Sequence, residues 1–400
     1  MKSVIFFLLA TVTTTFASVA RNNDYNNIIS ALVADCPEVR QLVASNRAEL
    51  EAKAAANVLD NPTVEAEHLW GRDDAGNKMG AGISQEFAWP GVYRARAKAI
   101  DASTRASELL EQSAVADKIL EIEQLVIDIV YQKKTIEVEQ KILDHMCALE
   151  KGNLEGYELG ELTKLDMKKI EIGRISAASS LREAQRTLDD LYARLEAVTG
   201  RRDCRSVING ITEIPEGNIL SEEEYEKLID SYDPRLAWLR AQSEAYVLDG
   251  KAEVLAARSP GFSLGYAFER EGGETFNGLS ASITLPVYSR RHVANSAKAN
   301  ALSAQIEADA THLSAIAGMR SLRTSVTSMK TELNDYSDVF GDDNYASLLT
   351  IARQGGQLDN LRYLEELNFF LDAARARLQL EHEYMRSLAA LNRYNTIATR

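Results

Sequence analysis

Three short runs hold the side chains best suited to chemistry. His145-Met146-Cys147 gathers soft metal ligands, Glu381-His382-Glu383 places an imidazole between two carboxylates, and Glu222-Glu223-Glu224 concentrates negative charge. Consecutive residues of a helix point in different directions, so neither histidine run can close on a single ion. Helix packing is the expected role of the first run, a solvated helix face that of the second, and a helix N-terminus that of the third, where the dipole favours acids. The chain has no nucleophile elbow, no histidines paired at metal spacing, no phosphate-cradling glycine loop and no dinucleotide fingerprint. No cofactor or metal is expected, and the chain does not read as an enzyme. A formal charge of −14 also argues against a nucleic-acid partner, which would require a basic face.

The chemistry is therefore sought in the architecture. The chain has 400 residues, 45% hydrophobic and 26% charged, enough for a buried core and too apolar for global disorder. Only 7 residues are proline, which permits long unbroken helices. Lys2, the apolar run Val4 to Ala10 and the small residues Ser18-Val19-Ala20 read as a secretory signal over residues 1–20, with cleavage near Ala17 to Ala20. No later run is apolar enough for a membrane helix, so entry into a membrane would have to be as a β-barrel.

Two stretches repeat. Gly82-Ile83-Ser84-Gln85-Glu86-Phe87-Ala88-Trp89-Pro90 matches Gly278-Leu279-Ser280-Ala281-Ser282-Ile283-Thr284-Leu285-Pro286 in pattern. Gly160-x-Leu162-x-x-Leu165 recurs as Gly356-x-Leu358-x-x-Leu361. Both pairs lie 196 residues apart (278 less 82, 356 less 160), and a constant offset is the mark of an internal duplication. Each half reads helix, strand, strand, long helix, turn, long helix. Residues 21–200 form the first repeat, 201–220 a linker with Gly210, Pro215 and Gly217, and 221–400 the second repeat. Helices are expected over 26–58 (interrupted only by Pro37), 91–146, 157–199, 221–257, 292–339 and 343–395.

Four strands of about 9 to 11 residues, a length that suits a tilted membrane strand, show period-two alternation. Phe262, Leu264, Tyr266 and Phe268 oppose Ser263, Gly265, Ala267 and Glu269; Leu279, Ala281, Ile283 and Leu285 oppose Gly278, Ser280, Ser282 and Thr284. Met79, Ala81, Ile83, Phe87 and Trp89 share a side broken only by Gln85, and the first strand sets Val64, Ala66, His68 and Trp70 against Thr63, Glu65, Glu67 and Leu69. A soluble sandwich would show the same period. Trp70 and Trp89 near strand ends, and a small, polar opposite face, favour a membrane barrel with a wet lumen. Glu65, Glu67, Glu86 and Glu269 fall on that polar face, where acidic rings would favour cations. Four strands cannot close a wide barrel, so several chains must share one.

This organisation resembles the TolC family of outer-membrane efflux proteins over nearly the whole chain after the leader. The resemblance rests on the duplicated unit, on Asn61-Pro62 opening the first strand, on Gly82 to Pro90 feeding Arg94-Ala95-Arg96-Ala97-Lys98-Ala99, and on Gly160-Glu161-Leu162-Thr163-Lys164-Leu165-Asp166 at a helical turn. The first hairpin is most similar to the metal-efflux branch that includes CzcC and CusC. The resemblance implies a mixed α and β membrane protein. Three chains would close a twelve-stranded barrel, and long α-helical hairpins would form a periplasmic tube. It implies an outer-membrane location in contact with lipid, a periplasmic adaptor and an inner-membrane pump as partners, and passive conduction of what the pump expels. A duct for type I protein secretion, or a periplasmic coiled-coil adaptor or structural protein, would share much of the pattern. Two departures stand out: no lipid-bearing cysteine follows the leader, and the stretch Arg353 to Glu365, with Arg362 in it, does not match the family's tunnel-closing charges.

Gly160 and Gly356 would mark the periplasmic tips, with Leu162, Leu165, Leu358 and Leu361 packing on an adaptor or a neighbouring helix. From Pro90 to Gly160 a helix would extend about 105 Å at 1.5 Å per residue. Counting about 39 Å down from the first strand at Pro62 to Cys36, and about 66 Å up from Gly160 to Cys204, brings both to one level of that span, about 66 Å above the tip, with Cys147 about 20 Å above it. A Cys36–Cys204 disulfide is thus possible in an oxidising compartment, as are three free thiols.

Overall fold

The computed structural model describes residues 25–71, 76–158, 160, 162–286, 291–340, 348–349, 351–352, 355, 357–358 and 360–398. The expected leader, 1–20, and Gly356 lie outside them. Helix α1 covers residues 25–33. It is followed by α2 (Pro37–Ala55), β1 (Thr63–Leu69), β2 (Lys78–Phe87), α3 (Pro90–Glu158), α4 (Lys164–Thr199) and the short α5 (Cys204–Ile208). Then come α6 (Glu222–Tyr232), α7 (Pro234–Arg258), β3 (Gly261–Glu271), β4 (Glu274–Thr284), α8 (Arg291–Phe340), α9 (Asn360–Leu391) and α10 (Arg393–Ala398). The order α2-β1-β2-α3-α4 recurs as α7-β3-β4-α8-α9, as the duplication requires. No described helix is long and apolar enough to cross a membrane.

Prolines explain where expected helices divide. Pro37 and Pro234 each start a new helix, at the position where a missing N–H is harmless. Asp233 caps the second break, its Oδ1 accepting from Arg235 N at 2.9 Å and Leu236 N at 3.4 Å. Helix α3 runs twelve residues past the expected end, to Glu158. Nothing in 147–158 breaks it, and the chain turns only at Gly160, whose φ of 74° is open to glycine without strain. Thr163 and Asp166 then form a capping box that opens α4. The Thr163 hydrogen bond holds the Asp166 carboxyl below its ordinary value. The acidic run at α6 does sit at a helix N-terminus: Glu224 Oε2 accepts from Ser221 N at 2.9 Å, and Ser221 Oγ accepts from Glu224 N at 3.3 Å.

Two compact units cut across the repeats. One is built from 1–40, 114–232 and 315–400, the other from 41–113 and 233–314. In the first, Ile29, Leu32, Ile122, Val126, Ile129 and Leu195 are fully buried together. The linker joins them: Cys204, Ile208 and Ile211 pack into this cluster, so 201–220 is more than a connector. Its Glu216 accepts from Tyr384 at 2.7 Å and from Lys330 at 3.2 Å, and these partners pull its carboxyl below the ordinary value.

Helices α3 and α9 pack antiparallel in this unit through a ladder of charged rungs. Asp117 meets Arg393 at 2.7 Å, just beyond the end of α9. Asp128 meets Arg386 at 2.7 Å and His382 at 2.7 Å; Glu381 accepts from Tyr131 at 2.9 Å and Lys134 at 3.1 Å. Glu139 takes both forks of Arg375, at 2.8 and 2.9 Å. Asp117, Asp128 and Glu139 are eleven residues apart, three helical turns, and so form one stripe along α3. The run Glu381-His382-Glu383 is therefore part of a helix–helix contact and not the solvated face expected of it. Spacing within the run could not reveal this, because its partners lie some 250 residues away.

Candidate functional site

In the second unit the four strands form one antiparallel sheet in the order β1-β2-β3-β4. The register decides the faces, since directly paired residues point the same way. Glu65 pairs with Gly82 and Glu67 with Gly80; Gly80 pairs in turn with Glu269, and Glu86 with Ser263. All four acidic candidates thus share one face, together with Ser263, Gly265, Ser280, Ser282 and Thr284. Ser263 and Ser282 hydrogen-bond across it at 2.7 Å. Gly265 is needed for closeness: a Cβ there would come within 2.6 Å of Ser280 Oγ and 2.8 Å of the Ile83 carbonyl.

Three charges on this face escaped the sequence reading: Lys78, Glu271 and Glu274, which pair in register at the strand ends. Strand β2 begins at Lys78, not Met79, and Lys78 Nζ lies 3.0 Å from Glu269 and 3.8 Å from Glu271. Glu269 is thereby neutralised; Glu67 feels the same lysine at longer range, and Glu65, Glu67 and Glu86 have no cation at ion-pair distance among the described residues. The lysine's own position, one residue before the alternation starts, was the available signal. Strand β1 is also shorter than expected, 7 residues, consistent with its poor alternation.

The opposite face is apolar and uncovered. Val64 is 74% exposed, Leu279 90% and Ile283 70%, and Met79, Ile83, Leu264 and Tyr266 are exposed beside them. Phe87 and Phe262 stack on this side at 5.4 Å; the exposed Trp89 follows β2 by two residues, and the exposed Trp70 lies beyond the other end of the strands. Gln85, the one polar residue of the series, donates its amide to the Asp60 carbonyl at 2.5 Å. A contiguous apolar face of this size is foreign to a soluble surface. The sheet also has two open edges, as β1 and β4 each pair on one side only within the chain. Neither face nor edge is satisfied by any described residue.

No family model and no characterised protein sequence matches the chain. Solved structures do. The Campylobacter jejuni CmeC outer membrane channel superposes with a TM-score of 0.76 at 14% identity, covering 93% of this chain and 85% of that one. The Vibrio cholerae outer membrane protein VceC gives 0.73 at 15%, covering 92% and 95%. This chain has the TolC-type channel fold. CusC shares it, with a TM-score of 0.63 at 13% identity over 93% and 92% of the two chains, so the likeness does not single out the metal-efflux branch.

Within this channel fold the expected tip residues separate. Gly160 makes the turn, and Leu165 is 66% exposed on the first turn of α4. Leu162 is half-buried, and Leu358 packs against the cluster of Ile142, Met146, Leu149, Ile170, Tyr363 and Leu367. The backbone of Leu361 belongs to α9. The soft-ligand run divides as expected: Met146 is buried in that cluster and Cys147 is exposed. Among the described residues no group of three or more acids, histidines and cysteines is placed to hold a metal.

All three cysteines are free thiols here. Residue counting did bring Cys36 and Cys204 to the same region, the C-terminal end of α4. Their sulfurs are committed elsewhere, however. Cys36 Sγ donates to the Val198 carbonyl at 3.1 Å, and Cys204 Sγ lies 3.0 Å from both Thr199 Oγ1 and the Arg201 carbonyl. Equal height was not enough to aim the two side chains at each other. Burial pushes the Cys204 thiol up.

Proposed function

We propose that this chain is one subunit of an outer-membrane export channel. The observation that supports it is the inverted sheet, apolar and uncovered on one face, acidic and small on the other, with both edges open. In a bilayer no strand edge can stay unpaired, so β4 of one chain must meet β1 of another. Three chains supply twelve strands, enough for an aqueous bore. The apolar face then meets lipid and the Glu65, Glu67 and Glu86 face lines the lumen. The helical hairpins continue the conduit into the periplasm. Energy comes from an inner-membrane pump reached through an adaptor, in keeping with a sequence that shows no phosphate-cradling glycine loop. The duplication of a complete strand-pair and hairpin unit favours this over an adaptor role.

Docking falls to Leu165 at the first hairpin tip, and Leu358 serves the hairpin core. Leu165→Asp should abolish export in cells while trimers remain in the outer membrane at wild-type level. Leu358→Asp should lower the amount of folded protein. Normal export by L165D would remove Leu165 from the docking surface.

A further inference from the structure

In the second unit α7 and α8 enclose a groove of about 690 Å³ that the sheet and the helix hairpins leave unused. Its walls are apolar, with Val247, Val254 and Leu255 from α7 and Ala297 and Leu302 from α8. Three cations line it as well: Lys251, Arg258 and Lys298. None has a carboxylate at ion-pair distance among the described residues, in a chain that carries a net charge of −14. One end of the groove lies near the end of the sheet. Arg258 precedes Gly261, the first residue of β3, by three positions, and Lys251 stands two helical turns further back. Leu255 sits against the same point as Trp89: a Cβ on Gly91 would meet Trp89 at 3.2 Å and Leu255 at 3.6 Å. Trp89 lies two residues past Phe87, the last residue of β2 and part of the apolar face, so this end of the groove lies towards the surface assigned to lipid.

We propose that the groove binds an anionic phospholipid from the adjoining leaflet. An acyl chain lies along the apolar walls, and the phosphate is held by Lys251, Arg258 and Lys298, whose aliphatic stems extend the apolar surface while their charged ends reach the headgroup level. The volume suits an acyl chain, being within the usual range for small-molecule sites of about 300–1,000 Å³. A soluble anion would not need the apolar walls, and a neutral lipid would not need three unpaired cations. The inference rests on the channel reading, which supplies the bilayer, but concerns a site outside the lumen.

The test uses full-length protein reconstituted in phosphatidylcholine vesicles containing a photoactivatable phosphatidylglycerol. After irradiation, labelled peptides are mapped and vesicle flotation is measured in parallel. Labelling should concentrate in 247–258 and 294–305 and be competed by unlabelled phosphatidylglycerol but not by phosphatidylcholine. It should fall at least about tenfold in K251Q/R258Q/K298Q, with flotation unchanged. Three results would overturn the proposal while leaving the channel reading intact: labelling confined to the strands, equal labelling by a phosphatidylcholine probe, or amine cross-links from Lys298 to a second copy showing the groove covered by protein. Failure of the wild-type chain to float at all would remove the membrane reading itself.

Discussion

Leu279→Lys combined with Ile283→Lys is expected to abolish assembly into the outer membrane, and Ser280→Lys, between them on the same strand, is expected to be tolerated. The first two side chains are 90% and 70% exposed on the apolar face. Lysine at the midplane of a lipid-facing barrel position costs about 2–4 kcal/mol, so the pair approaches the whole stability of a typical fold. Ser280 pairs with Gly265 on the polar face, where a lysine meets water. A soluble sandwich would also reject the lysine pair, because its apolar side would lie under a protein cover, but its wild-type chain would leave no heat-modifiable band in the outer-membrane fraction. The checks are heat-modifiable bands in outer-membrane fractions and resistance to added protease. Equal insertion of L279K/I283K and S280K would refute the face assignment.

The second large effect is expected at the α3–α9 ladder. Glu139 is 5% exposed and takes both forks of Arg375. Arg375→Met removes the counter-charge and leaves a buried carboxylate uncompensated, which typically costs about 3–5 kcal/mol. The Arg375 side chain is itself 40% exposed, so the low end, about 3 kcal/mol, is the expectation. Glu139→Gln with Arg375→Met should restore most of the loss, because neither charge is then stranded. Thermal unfolding of the detergent-solubilised protein followed by circular dichroism reads both variants, at about 2–4 °C per kcal/mol. A double variant as unstable as R375M would show that packing of the arginine stem, and not charge, holds this rung.

The strands were the most legible part of the chain. Period two is local, and a one-residue slip would have moved every side chain to the wrong face. Glu65, Glu67, Glu86 and Glu269 share a face as their spacing indicated. The Gly160-to-Asp166 run was also legible, because turn and cap chemistry is carried by neighbours in sequence. What escaped was long-range. Lys78 neutralises Glu269 from another strand, Leu358 packs into a cluster drawn from three helices, and His382 finds Asp128 across 254 residues. The cysteines show the boundary well: counting along helices gave the level, but the direction of each sulfur depends on the helix's rotation, which no count supplies. The two compact units, each drawn from both repeats, were hidden for the same reason.

Single-channel recording in a planar bilayer tests the central claim most directly. Purified trimers should insert to give discrete conductance steps without nucleotide or partner protein. In a salt gradient the reversal potential should show cation preference, set by Glu65, Glu67 and Glu86, and weaken in E65Q/E67Q/E86Q. Membrane-inserted protein that passes no current, or a wild-type channel that prefers anions at low salt, would contradict the account.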